Sequence, residues 1–223
     1  MTTPALTGAP TSGTYVQAVT PTAAQAQDDF RALLNVLSRP GLLDAVHRGN
    51  GPAALAVAAG LADVEVPTAV LTEPGEEHWA RALHLATSAP AAPPETARMV
   101  VALRPPAAAE IAALTRGDAL HPEFGTRLIA AVTALAADPG DRRDGGSAVP
   151  GAEGPEVVLA LSGPGVPGTR RIRVTGLDRA VFGALAEANA DFPAGIDTFL
   201  VAADGTVAGL PRSTRIEIEN GDD

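Results

Sequence analysis

The chain has 223 residues, 46% of them apolar, and a formal net charge of −10. Its length and apolar content supply a sizeable core, while the acidity argues against nucleic acid and anionic membranes as partners and 3% aromatics argues against base stacking. There is no cysteine and all 16 basic residues are arginine, which excludes disulfides, thiolate metal sites, cysteine-ligated iron–sulfur clusters, a P-loop lysine and a Schiff-base lysine for pyridoxal phosphate.

The N-terminus has neither an Arg-rich start nor an apolar h-region, so no signal peptide is expected. The longest apolar stretches, near Ala53 to Ala62 and Leu128 to Ala137, are about 10 residues long and too short to span a bilayer. A cytoplasmic location is the expectation. Residues 1–19, rich in Thr, Ala, Pro and Gly, are expected to be a flexible tail.

Thr20-Pro21 predicts a helix start, with Thr20 as N-cap and Pro21 at N1. Phe30, Leu33, Leu34 and Leu37 follow at i, i+3, i+4, i+7 and predict its buried face. Asp28 and Asp29 fall on its solvated side. Ser38-Arg39-Pro40-Gly41 stops it. Leu42 to Val46 is read as a short strand. Gly51-Pro52 opens a small-residue helix, Ala53 to Leu61. Pro67 to Leu71 is a buried strand. Glu76 to Thr87 is a helix with Trp79, Leu83 and Ala86 inward, and Glu76 and Glu77 suit its N-terminal dipole. Met99 to Leu103 is a strand and Ala107 to Leu114 a helix. Arg127 to Leu135 fits either a strand or a buried helix. Asp138 to Pro155 is a flexible loop by composition. Val157 to Leu161 and Ile172 to Val174 are strands, and Asp178 to Asn189 is a helix with Val181, Phe182 and Leu185 inward.

The most structured stretch is Phe192 to Arg215. Phe192-Pro193-Ala194-Gly195-Ile196-Asp197 is a specified turn feeding the apolar run Thr198 to Ala203. Asp204-Gly205 signals a hairpin into Val207 to Leu210, which ends at Pro211. Arg212 and Arg215 then form a polar corner. The alternation of elements predicts a single α/β domain over residues 20–218, a three-layer α/β/α sandwich with helices on both faces of a mixed sheet, then an acidic tail at residues 219–223.

Candidate chemistry is sparse. Gly163-Pro164-Gly165-Val166-Pro167-Gly168 offers a possible anion nest, but two prolines remove amide donors and a sharp turn fits better. Arg212 and Arg215 suit a phosphate or a partner's carboxylates, and the competing reading is a salt bridge within the fold, to Asp197. His78 and His84 lie six apart and face different ways; His47 and His121 fall in loops, so no metal site is expected. No Gly-x-Ser-x-Gly nucleophile elbow occurs. The residues alone describe an acidic α/β domain acting as a binding or assembly module.

Four blocks in order carry a resemblance. They are Phe30 to Gly41; Leu114-Thr115-Arg116-Gly117 with His121-Pro122-Glu123-Phe124-Gly125-Thr126; Phe192 to Asp197; and Leu210-Pro211-Arg212-Ser213-Thr214-Arg215. Together, over roughly residues 25 to 218, the chain resembles the H subunit of bacterial carbon–phosphorus lyase (PhnH). The resemblance implies a fold related to pyridoxal-phosphate-dependent transferases without the cofactor site, a homodimer in isolation, and other carbon–phosphorus lyase subunits as partners. It implies an accessory, non-catalytic part in coupling an alkylphosphonate to the ribose of ATP with loss of adenine. No catalytic residue is carried over and no cofactor is expected. Arg212, Arg215 and Asp197 stand as an anion-binding or subunit-interface corner, with a stand-alone phosphate-, phosphonate- or nucleotide-binding protein as the alternative. Arg212→Ala is expected on this reading to weaken assembly with the fold intact.

Overall fold

A computed structural model describes residues 12–137 and 153–219. Its centre is a six-stranded mixed sheet in the order β1-β9-β8-β4-β3-β2. Four strands are parallel neighbours: β2 (Thr68–Leu71), β3 (Met99–Ala102), β4 (Arg127–Val132) and β8 (Asp197–Ala202). β9 (Thr206–Leu210) returns antiparallel through the Asp204-Gly205 turn, and β1 (Leu43–Ala45) pairs antiparallel on its far side.

Every residue of β3 is buried, the pattern of a strand covered on both faces. Its alternation divides the core. Met99 and Val101 face one layer with Ile129, Phe199 and Val201. Val100 and Ala102 face the other with Leu128, Ala130 and Leu200. The first layer is helical: α1 (Ser12–Val19), α2 (Ala23–Ser38), α3 (Ala53–Leu61) and α4 (Glu77–Thr87). Helix α3 is nearly all Ala, Leu and Val, and its first six residues are buried. Small side chains let it lie close to the sheet.

The second face departs from the expected helical layer. It is covered by α5 (Ala108–Ala112), α6 (Arg179–Ala188) and a second, four-stranded antiparallel sheet, β10-β6-β7-β5. The ambiguous run at residues 127–135 is strand: β4 ends at Val132 and, after Thr133, β5 (Ala134–Ala137) belongs to the second sheet. β6 (Glu156–Ser162) and β7 (Arg170–Thr175) match the expected strands. β10 (Arg215–Glu219) was not expected. Its alternating burial is too short and too charged to stand out, and it is specified by pairing with β6. The 138–155 loop lies outside the described residues except for residues 153–155, and the acidic tail except for Glu219, which ends β10.

Three further expectations are corrected at the start of the chain, of which residues 1–11 lie outside the described residues. Residues 12–19 form α1 rather than a frayed tail, with Val19 buried and Tyr15 packed edge-on against Trp79 at 5.0 Å. The α2 N-cap is Thr22, not Thr20. Its hydroxyl accepts the Gln25 N–H and Gln25 Oε1 accepts the Thr22 N–H, a reciprocal capping box. Thr20 instead donates its hydroxyl to the Val16 carbonyl at the end of α1. The buried face of α2 is Asp29, Ala32, Leu33 and Val36, one residue round from the apolar stripe in the sequence. Phe30 and Leu34 are left 49% and 52% exposed. The backbone of β9 sets this rotation: a Cβ at Gly209 would stand 2.7 Å from the Val36 carbonyl carbon, so α2 lies directly on that strand.

The cap of α5 gives a pH prediction. Glu110 accepts from Arg104 at 2.6 and 2.9 Å and from the Ala107 N–H at 2.8 Å. The Arg104 hydrogen bond, with the helix-start amide, holds its carboxyl at about 2, against an ordinary 4.5. A carboxyl lowered on folding contributes stability above its unfolded value and loses it as pH falls through the folded one. The pair is one-third exposed, so solvent screening trims the contribution to about 1 kcal/mol. Glu110→Gln is expected to lose about that much at neutral pH, with the difference vanishing between pH 4.5 and 2 in urea melts. An unchanged difference at pH 2 would contradict the assignment.

Candidate functional site

Three of the four sequence blocks meet in one place, at the ends of β4 and β8 where those strands begin. The loop after α5 reverses at Gly117 and turns once more, as a short 3-10 turn at Pro122–Phe124. It closes on itself through the Thr126 N–H to Thr115 carbonyl bond at 2.8 Å. The 192–197 turn, with a cis Phe192–Pro193 bond, docks on it: the Gly195 N–H donates to the Arg116 carbonyl at 2.8 Å. Asn189, at the end of α6, accepts the Ile196 N–H at 2.7 Å and donates to the Ile196 carbonyl at 3.2 Å.

Arg212 crosses all three. Asp197 Oδ2 accepts its Nη2–H at 2.7 Å and its Nε–H at 3.1 Å, and Oδ1 accepts its backbone N–H at 2.9 Å. Its Nη1 donates to the carbonyls of Pro122 and, at 3.4 Å, Pro193. The side chain is 14% exposed and that of Asp197 24%. A partly buried arginine–carboxylate pair, with two guanidinium donors on one carboxylate oxygen and further donors on carbonyls, is a structural lock. Most of the Arg212 donors are therefore spent inside the fold.

Arg215 is different. It starts β10, is exposed, and its guanidinium has no hydrogen-bond or ion-pair partner among the described residues. It borders a cleft of about 630 Å³ with Ser213, Thr214, Asn189 and Phe192. The Thr214 hydroxyl in that wall is buried and unpartnered. Across the Asp197–Arg212 lock lies a second cleft of about 460 Å³. Arg98, Arg127 and Arg212 line it together with Glu65 and Glu123. Arg98 donates to the Glu123 carbonyl at 3.0 Å and lies 4.1 Å over the Phe124 ring, whereas the Arg127 guanidinium has no hydrogen-bond or ion-pair partner among the described residues.

The remaining candidates are placed as follows. The Gly163–Gly168 segment is a packing turn: a Cβ at Gly165 would stand 2.2 Å from the Ser38 carbonyl oxygen, so the turn is pressed on the end of α2. Arg170 donates to the Pro40 carbonyl beside it at 2.9 Å. His78 packs on Tyr15 at 4.2 Å, His84 bonds the Ala89 carbonyl at 3.0 Å, and His121 stacks on Phe124. Glu76 is the N-cap of α4 and Glu77 sits in its first turn, its carboxyl held below the usual range by backbone amides at the helix start. Asp29, expected on a solvated face, is instead 5% exposed and bonded to His47. The clue available in the sequence was its place at i with Ala32, Leu33 and Val36, a second apolar stripe that the larger side chains of the first one masked. Among the described residues no group of three or more His, Asp or Glu could hold a metal ion, and no helix is long and apolar enough to cross a membrane.

The sequence matches the family described as "Bacterial phosphonate metabolism protein (PhnH)" over residues 17–217. A curated relative from Stutzerimonas stutzeri, the "Putative C-P lyase subunit protein HtxG", is 40% identical over 67 residues. That stretch covers 30% of this chain and 33% of the relative.

Proposed function

The chain belongs to the bacterial phosphonate metabolism protein (PhnH) family, and from that premise we propose that it is an accessory, non-catalytic subunit of a carbon–phosphorus lyase complex. Its partners are the other subunits, and its part is to support coupling of an alkylphosphonate to the ribose of ATP with release of adenine. The observation that carries this reading is the family match, which takes in all four sequence blocks. The structure supplies two supporting features. Three of the four blocks build an internal lock rather than a cluster of reactive side chains. Phe30 and Leu34, one turn apart on α2, stay exposed as an apolar patch of the kind that docks a partner. A homodimer in isolation and a relation to the pyridoxal-phosphate transferase fold are part of the same proposal, the latter supported by a parallel sheet core between two covering layers. A chain without lysine has no Schiff-base partner for pyridoxal phosphate, so that cofactor does not fit these residues.

The test is reconstitution of the coupling step with and without this subunit, following the phosphonate by phosphorus NMR. The reading predicts no product from this chain alone and reduced product when it is omitted from the complex. Coupling by the chain alone would overturn the non-catalytic assignment.

A second reading, direct binding of a phosphate-bearing ligand such as a nucleotide at the arginine corner, is favoured by the unpaired Arg215 and Arg127 on either side of Arg212. On that reading ATP at 100 times its dissociation constant stabilises the chain by about 2.7 kcal/mol. Arg215→Ala removes most of that gain without lowering basal stability, because Arg215 holds nothing else. A melting temperature indifferent to ATP rejects this reading and leaves the first intact.

A further inference from the structure

Asp29 is the only charged side chain among the described residues that the fold buries, at 5% exposure. Its Oδ1 accepts the backbone N–H of His47 at 2.7 Å and faces the ring Nδ1 at 2.8 Å. Its Oδ2 is buried without a hydrogen-bond partner. A carboxylate satisfied on one oxygen alone is costly to bury unless a cation stands beside it. An ionised carboxylate only accepts, so the ring Nδ1 facing it is the donor, and Nε2 is left for solvent or a ligand. The His47 side chain is 46% exposed.

The loop carrying His47 is built for this place. A Cβ at Gly49 would meet the Ala18 carbonyl oxygen at 2.5 Å, and one at Gly51 would meet the Trp79 ring at 2.9 Å. Packing against α1 and α4 therefore fixes the loop. Beside it opens a cavity of about 230 Å³, lined by Asp29, His47, Arg48, Asn50, Gln17 and Gln25 among others. Arg48 is exposed and has no partner among the described residues. Asp29 and Arg48 are the ionisable side chains that share the cavity with His47.

We propose that this cavity binds a small oxyanion, a phosphate, phosphonate or carboxylate group, between the Arg48 guanidinium and the His47 ring. Asp29 is the positioning residue that aims Nε2 outward. The Arg48 guanidinium supplies the positive charge, the His47 ring binds the anion through Nε2 when that nitrogen carries a proton, and the side-chain amides of Asn50 and Gln17 add donors. The volume lies below the roughly 300–1,000 Å³ of pockets for drug-sized ligands, so the site takes an ion or a terminal group rather than a nucleotide base. It shares no lining residue with either cleft at Arg212, so it stands or falls apart from the proposed function.

The test titrates the full chain with sodium phosphate, and separately with sodium acetate, at constant ionic strength. The His47 ring resonances are followed by NMR and affinities are measured by calorimetry. The expected result is a saturable His47 shift with at least one probe, with a dissociation constant on the order of a millimolar or tighter. Phosphate alone identifies a tetrahedral anion as the ligand class, and acetate alone a carboxylate. Arg48→Ala, at an exposed position that leaves the fold standing, should weaken binding at least about tenfold. His47→Gln should do the same, and Arg215→Ala should leave it unchanged. No saturable shift at tens of millimolar of either probe, or an Arg48→Ala variant that binds like the parent, overturns the proposal.

Discussion

Arg212→Ala is expected to destabilise the chain by about 2–4 kcal/mol. The substitution removes the partner of a carboxylate that is three-quarters covered, and it strips donors from the carbonyls of Pro122 and Pro193. Breaking a buried pair from one side costs more than the pair is worth, because the remaining charge stays desolvated. The figure sits below the range for fully buried pairs because water still reaches Asp197. Arg212→Lys keeps the charge but not the planar fork that meets Oδ2 through both Nε and Nη2. It should lose about half as much. Chemical melts of the two variants and of Asp197→Asn check this, and an Arg212→Ala loss under 1 kcal/mol would refute the lock. The geometry also changes what this substitution says about assembly: a weakened complex in Arg212→Ala reports the fold, whereas Arg215→Ala reports the surface.

Gly195→Ala should cost about 3 kcal/mol or more, by a different route. Gly195 sits at φ +152°, where a side chain is strained, and a Cβ there would stand 2.6 Å from Asn189 Oδ1 and 2.8 Å from Arg212 Cβ. Backbone strain and overpacking each contribute about 1–3 kcal/mol. Asn189 cannot give way freely because it holds Ile196 through two hydrogen bonds. Gly183→Ala is the matched control. It lies on the exposed face of α6 with nothing within 4 Å of the added Cβ, and should stabilise by about 0.5–1 kcal/mol. Similar effects for the two alanines would show that the 192–197 turn is not tightly packed.

Much of the fold was legible because its signals are local. Pro52 followed by Ala and Leu gives α3 with its bounds as expected, and Asp204-Gly205 between apolar runs gives the β8–β9 hairpin. Longer-range signals were not legible. Between Arg127 and Leu135 only Thr133 breaks the apolar run, so periodicity could not separate strand from helix; parallel pairing with β3 and β8 decides it for β4. β10 has no sequence signature beyond alternation and exists because β6 offers an edge. The four-stranded sheet follows from that pairing, and with it the loss of a purely helical second layer. On α2 two stripes competed, one of large apolar side chains and one of Asp29, Ala32, Leu33 and Val36. Close approach to Gly209 selects the second, a contact no single segment encodes. At the corner, the sequence brought Arg212 and Asp197 together as the bland alternative to an anion site. The structure makes that pair a lock and leaves the Arg215 guanidinium available beside it.

Association with sister subunits is read out by native mass spectrometry after co-expression with them. The prediction is a stoichiometric complex containing this chain, which Phe30→Ser with Leu34→Ser on the exposed face of α2 weakens while the melting temperature holds. A chain that runs alone, as monomer or dimer, with every other subunit present would contradict the accessory-subunit account.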